Sequence, residues 1–338
     1  MSDVLTNLHP ALRQCWHPIA RSADVTKQPL RLMLMGVPYV AWRDEEGHIA
    51  VFEDRCPHRL APLSLGSCEG GELRCAYHGW KFDQSGRCTE IPSLGDGAAL
   101  PPKAQLARPH SVAESHGMVF IAPEAPLHAL PTMVEANDAN FMVGDLPELR
   151  VRGCAALYAD NFLDMAHFPF VHRGTFGAQE AAEVSPYEVE RDGFSTEVTF
   201  EHEFANREDP GVEAGLRPLI QRRRLTYRFD APFHLALRID FLDAGGTNTI
   251  GFYLCPEDEE TVRIYSSLYR NDLDGDEARM KEAIDFEIAV IEEDLRVQTA
   301  YDRLEIPLDV TTEVHVRPDR TTLEFRRVLI DLVRAAGY

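Results

Sequence analysis

A chain of 338 residues, 44% hydrophobic and ordinary in glycine and proline, is long enough for about two domain cores. Its net charge of -21 argues against nucleic-acid binding, which needs clustered Lys and Arg, and no run approaches the ~18 apolar residues of a membrane span. Met1 to Pro10 lacks the basic start and apolar run of a secretion signal, and seven scattered cysteines, an odd number, argue for reduced thiols and metal ligation, so a cytoplasmic location is expected.

In chain order, a short helical start leads through Cys15-Trp16-His17-Pro18 to an apolar run ending at Gly36. Val37 to Arg43 and His48 to Glu53 are β-type runs joined by Asp-Glu-Glu-Gly, a hairpin signal. Cys56-Pro57-His58-Arg59 and Cys75-Ala76-Tyr77-His78-Gly79-Trp80 follow, each at a strand-to-loop junction, and a second hairpin around Gln84-Ser85-Gly86 backs the latter. Two thiolates and two imidazoles can hold a zinc ion, or a [2Fe-2S] cluster with both cysteines on one iron and both histidines on the other. Zinc ribbons usually use Cys-x2-Cys hooks, which Cys-x-His with Cys-x2-His is not. Residues 92 to 132 are rich in Pro, Ala and Gly around strand-like Ser111 to Ser115 and Met118 to Ala122, so Pro123 to Pro131 reads as a linker between domains 1–130 and 131–338.

Asn161 to His172 reads Asn-Phe-Leu-Asp-Met-Ala-His-Phe-Pro-Phe-Val-His. In an unbroken helix, residues five apart point roughly 140° away from each other, so His167 and His172 converge only if the chain bends. Pro169 predicts that bend, ending a helix at His167. Asp164, three residues before His167, can accept the proton on its far ring nitrogen. Two histidines suit a divalent metal and leave it one carboxylate short of the two-His, one-carboxylate triad of non-haem Fe(II) oxygenases. The competing reading is a helix end with two packed histidines.

From Val184 to Tyr269, period-two alternation with turns at Arg191-Asp192-Gly193, Asp230-Ala231-Pro232 and Ala244-Gly245-Gly246 predicts an antiparallel sheet of about five strands. His202, Arg223 and Asn248 share faces with apolar neighbours, which makes them candidate polar contacts in a substrate pocket; strand ends reaching water are the alternative. A buried Arg223 would suit an anionic substrate group, while Arg222, Arg224 and Arg228 alternate to a solvated face. Asp276 to Arg303, free of proline and glycine, reads as one long helix whose apolar arc contains Asp294, with Glu287 also on it and Glu292 and Glu293 outside. A carboxylate facing a core is costly unless paired or metal-bound, so Asp294 is the natural third ligand. A closing helix follows, with Arg326-Arg327 on its polar side.

The Cys-His spacings resemble those of Rieske domains, and Asn161 to His172 resembles the mononuclear-iron motif of Rieske non-haem iron oxygenases, a likeness that covers nearly the whole chain. It implies an α+β protein: an all-β N-terminal domain whose Cys56, His58, Cys75 and His78 ligate a [2Fe-2S] cluster, and a C-terminal catalytic domain with a helix-grip-like antiparallel sheet whose His167, His172 and Asp294 hold Fe(II). The other cysteines, Cys68 among them, have no role in the pattern.

The resemblance further implies O2 as co-substrate and electrons from NAD(P)H through a separate ferredoxin or flavin reductase. In related oxygenases electrons cross between subunits of a homotrimer, which makes Asp164 a bridge to a neighbouring cluster histidine. The length is most similar to the vanillate demethylase, dicamba demethylase and toluenesulfonate methyl-oxygenase group. That favours O- or N-demethylation or hydroxylation of an aromatic or cyclic substrate over cis-dihydroxylation or plain electron carriage. Arg55, Arg59, Arg74 and Lys81 flank the cluster ligands as a local basic patch for an acidic donor.

Overall fold

A computed structural model describes residues 3–177, 182–206 and 210–338. They form two compact units, Leu12–Leu130 and Pro131–Tyr338, the latter joined by the chain up to Ala11.

The Leu12–Leu130 unit is built from small antiparallel sheets. Leu30–Leu34, Val37–Arg43 and Ile49–Glu53 form a meander, and Ser67–Glu69, Glu72–Arg74, Lys81–Phe82 and Cys88–Glu90 form a second sheet. Ser111–Ser115 and Met118–Ala122 pair as the alternation predicts. Val40, Trp42, Phe52, Leu63, Leu73 and Phe82 fill one core, with Trp42 stacked on Phe52, and Cys56 and Cys75 are buried in it.

In the other unit the sheet has eight strands among the described residues, antiparallel throughout. Its order is Met142–Asp145, Thr261–Arg270, Thr247–Pro256, His234–Phe241, Ile220–Asp230, Ser195–Ala205 and Glu190–Asp192, with Leu149–Arg152 also on the Thr261–Arg270 edge. Six of them fall within Val184 to Tyr269, where about five were expected, the extra one being the three-residue, fully exposed Glu190–Asp192; Met142–Asp145 and Leu149–Arg152 come from before that stretch. The predicted turn Ala244-Gly245-Gly246 falls between strands, while the other two start one residue or more inside the preceding strand, at Arg191 and at Asp230.

Among the described residues five α-helices complete the unit: α1 (Ala155–Leu163), the single turns α2 (Phe168–Val171) and α3 (Pro210–Glu213), α4 (Glu277–Gln298) and α5 (Arg320–Ala335). Asp276 caps α4 by accepting the Ala278 and Arg279 N–H groups. The helix stops at Gln298, so Tyr301 lies beyond it, and Val297 is exposed. Met280, Ile284, Ile288 and Ile291 press α4 onto Ile250, Leu268 and Leu146, the helix-on-sheet arrangement expected. In α5 the predicted polar position of Arg326 is corrected: it is 5% exposed and pairs with Asp160 of α1 at 3.0 Å. Asn7 explains why the first residues join this unit. Its buried carboxamide donates to Gly153 O and accepts from Ala155 N, both at 2.9 Å, tying down the start of α1. Among the described residues no helix is long and apolar enough to cross a membrane.

Candidate metal centres and the adjoining cavity

The two Cys-His loops are conformational twins. Cys56 N–H donates to Ala61 O and Leu60 N–H to Cys56 O, both at 2.9 Å; Cys75 N–H donates to Trp80 O at 2.8 Å and Gly79 N–H to Cys75 O at 3.0 Å. This closure needs left-handed backbone at its fifth residue. Gly79, at φ 72°, adopts it freely, while Leu60, at φ 59°, does so at a cost of about 1 kcal/mol. Asp54, 1% exposed, steadies the first loop by accepting Ser64 N–H at 2.7 Å and Ser64 Oγ–H at 2.6 Å.

The four candidate ligands fall into two pairs. Cys56 and Cys75 touch in the core, and burial, with Cys75 alongside, pushes the Cys56 thiol up to about 11, so two thiolates there require a cation beside them. His58 and His78 face each other with ring centroids 4.4 Å apart; His58 stacks on Trp80, and its buried Nδ1 has no hydrogen-bond partner among the described residues. Among the described residues, the three-ligand clusters with all donor atoms within 4.8 Å of one another do not include any three of these four. One zinc ion would need donors about 3.5 Å apart, whereas a cluster with cysteines on one iron and histidines on the other separates them as seen. The basic patch is narrower than the sequence suggests, because Arg74 pairs with Glu69 and Lys81 with Glu90, leaving Arg55 and Arg59 exposed beside His58.

In the second unit α1 ends at Leu163, one turn earlier than expected. The bend is made by Asp164, in extended conformation, whose Oδ1 accepts Ala166 N–H at 2.8 Å. Pro169 sits in the first turn of α2, where its missing donor costs nothing, so it starts a helix and does not stop one. Asp164 Oδ2 lies 3.2 Å from His167 Nδ1, the contact expected from helical spacing but delivered by a loop.

His167 and His172 converge, and Asp294 of α4 joins them. Their Nε2 atoms are 3.1 Å apart, and each is 3.4 Å from Asp294 Oδ1. With Asp164 accepting from one Nδ1 and Glu293 from the other, both Nε2 atoms present lone pairs to a carboxylate oxygen. Such a group is repulsive without a cation, and donors roughly 2 Å from one metal stand about 3 Å apart on a shared face, so the residues fit a three-ligand site with open positions. Burial lowers His172, keeping it neutral, and burial raises Asp294 against the pull of both imidazoles.

The helical wheel places Glu293 in solvent, but the residue is buried. Its Oε2 lies 3.1 Å from His172 Nδ1 and accepts Thr175 Oγ–H at 2.8 Å, while Oε1 accepts Gly174 N–H at 3.0 Å. Burial alone would raise its carboxyl, but these hydrogen bonds outweigh it and hold the group below its ordinary value. The α4 wheel could not reveal this, because the partner chain 172–175 wraps around the helix side. Asn161 of α1 reaches Asp294 at 3.4 Å. Glu287, the other acid on the predicted arc, is buried in the cavity wall but is not among the three clustered donors.

A cavity of about 180 Å³ adjoins the triad. Cross-strand register aligns Leu225, Ile239, Asn248 and Arg270 in one row and Tyr227, Leu237 and Ile250 in the next, all of them lining it. Arg223 and Asn248 therefore both reach the cavity; the side chain of His202 lies outside the described residues. Arg223 is half-buried, not buried, and its guanidinium lies 4.4 Å from the Phe204 ring centroid. Arg228, expected in solvent, pairs with the buried Glu135 at 3.0 Å.

Known proteins share this two-part architecture. Residues 151–335 match the vanillate O-demethylase oxygenase C-terminal domain and residues 15–105 the Rieske [2Fe-2S] domain. The chain belongs to this family of Rieske oxygenases. It is 27% identical over 332 residues to methylxanthine N1-demethylase NdmA of Pseudomonas putida, covering 96% of this chain and 90% of that protein. The iron-sulfur subunit TsaM1 of the toluene-4-sulfonate monooxygenase system of Comamonas testosteroni is 34% identical over 193 residues, 55% of this chain and only about half, 53%, of that protein's length. The solved structure of NdmA from Pseudomonas putida CBB5 with caffeine superposes with a TM-score of 0.83 at 25% identity, covering 97% of this chain and 93% of that one.

Proposed function

We propose that this chain is the terminal oxygenase of a Rieske non-haem iron monooxygenase system that O- or N-demethylates, or hydroxylates, a small aromatic or cyclic substrate. The observation that carries it is the pair of bare Nε2 atoms, 3.1 Å apart, facing Asp294 beside a cavity. Cys56, His58, Cys75 and His78 are assigned to the cluster, and His167, His172 and Asp294 to iron. When bound, the two groups deliver single electrons and activate dioxygen.

The chain's own residues set the stage for that chemistry. Asp164 and Glu293 hold the protons on the two Nδ1 atoms, fixing both rings with Nε2 toward the metal. Phe162 stacked on Phe252, and Phe176 stacked on His172, keep water from the reacting face. In the balanced reaction, a methyl ether or N-methyl group, O2, two electrons and two protons give a hemiacetal or hemiaminal plus water, and that product breaks down to formaldehyde and the demethylated ring. NdmA and TsaM1, by their names a demethylase and a monooxygenase subunit, support this outcome over dihydroxylation. The cavity is comparable to the roughly 150 Å³ that admits benzene, which supports a single-ring substrate.

Electrons come from NAD(P)H through a separate ferredoxin or flavin reductase in the cytoplasm, with Arg55 and Arg59 offered to an acidic donor. The working assembly is a homotrimer in which Asp164, 30% exposed, links His167 to His78 of a neighbouring copy. The test is iron content of about three per chain, with O2 uptake and formaldehyde release from methoxy- or N-methyl-arenes under a surrogate reductase; uptake without formaldehyde would point to ring hydroxylation. Asp164→Asn is expected to stop turnover with both centres loaded, and retained activity would remove the bridging role.

A further inference from the structure

Two polar groups lining the cavity are left for a ligand to meet. Tyr227, 1% exposed, and Asn248, 5% exposed, each carry a buried polar atom with no hydrogen-bond partner among the described residues: the phenol oxygen of one and Oδ1 of the other. Neither belongs to the metal triad. They stand two strands apart and two residues out of row, roughly 10 Å across the sheet and 7 Å along it, so they reach the same space from different sides.

Outside the metal set, the side-chain charges around that space cancel. Arg270 is neutralised by Asp272, with Nη2 to Oδ2 at 2.8 Å, and Asp294 is committed to the metal. Arg223 and Glu287 contribute one charge of each sign, and Arg223 lies against the Phe204 ring. A net anionic ligand would meet an acid, Glu287, as well as a base, Arg223, from the cavity wall, and the surplus beside it would be that of Fe(II) over the single carboxylate Asp294. The Tyr227 hydroxyl can donate or accept a neutral hydrogen bond, and the Asn248 Oδ1 can accept one.

We propose that the cavity selects a neutral single-ring aromatic or heteroaromatic substrate carrying polar substituents, held at two heteroatoms by Tyr227 and Asn248. This rests on the oxygenase reading above and specifies its substrate class. Both residues are specificity determinants: an unmet buried hydrogen-bonding group rejects a ligand that lacks the matching atom, at about tenfold or more per contact.

Three probes of nearly one shape separate the possibilities: 4-methoxybenzamide, 4-methoxybenzoate and 4-methoxytoluene, neutral polar, anionic and apolar in turn. Their binding to the iron-loaded enzyme is measured by calorimetry without O2. The carboxamide is expected to bind at least about tenfold more tightly than either of the others. Tyr227→Phe and Asn248→Leu should each shrink its advantage over the methyl compound by about tenfold. Because the Tyr227 hydroxyl bonds to nothing among the described residues, Tyr227→Phe should keep the melting temperature within about 2 °C.

Preference for the carboxylate, an unchanged advantage in both variants, no saturable carboxamide binding up to about 10 mM, or a larger fall in melting temperature would each overturn the inference. The oxygenase reading stands or falls separately, on iron content and formaldehyde release. Carboxylate preference with formaldehyde release would keep that reading and remove this one.

Discussion

The proposed cluster residues arrive on two short hairpin loops of the same construction, close in sequence and backed by one hydrophobic core. The proposed iron residues arrive from a broken helix and from α4, and 121 residues separate His172 from the glutamate that orients it. The first centre is therefore specified by local turns and withstands changes elsewhere, whereas the second exists only when α1, α4 and the sheet are packed. Losing one partner of the second centre leaves the others in place but wrongly protonated or unsupported.

Three kinds of substitution test this contrast. The largest effect is expected at the proposed ligands. His172→Ala should lower turnover by more than about 100-fold and reduce iron from about three to about two per chain, with the cluster's visible absorbance intact. Cys75→Ser should do the reverse, bleaching the protein while the single iron stays. Loss of both centres in either variant would show that they fold as one unit.

Next is Glu293→Gln, expected to weaken the mononuclear iron by about 10- to 100-fold in chelator competition while leaving the cluster untouched. The same residue predicts a pH dependence in the iron-free protein. Its carboxyl is held below the ordinary 4.5, so the stability it contributes is present above that value and is lost as pH falls through its folded value. Denaturant unfolding of wild type and Glu293→Gln should therefore converge as pH falls below the ordinary carboxyl range. A difference that did not narrow as pH fell would mean that Glu293 acts by packing.

The smallest effect is expected at Asn7→Ala, which removes the cap on α1. It should cost about 1–2 kcal/mol in denaturant unfolding of the second unit and slightly loosen iron. Unchanged stability would show that α1 is held by its packing on α4, α5 and the strands Thr247–Pro256 and Glu305–Pro307 without the Asn7 hydrogen bonds.

What could be read from the chain alone follows from distance along it. Cys56, His58, Cys75 and His78 are visible because hairpin signals bracket them, and His167 and His172 because only five residues separate them. Asp294 is legible too, since a carboxylate on an apolar helical arc costs too much to bury without a cation or a paired base. Arg223 and Asn248 follow from period-two alternation. Glu293 is not readable: it lies off the arc, and its burial depends on the 172–175 segment folding over one side of α4. Nor are Asn7, Arg326 and Arg228, polar residues that look like surface until Gly153, Asp160 and Glu135 meet them across the fold. Patterns over a few residues report which side a side chain faces. Only tertiary packing decides whether that side holds water, a partner or a metal, because a buried polar group survives where its hydrogen bonds are met.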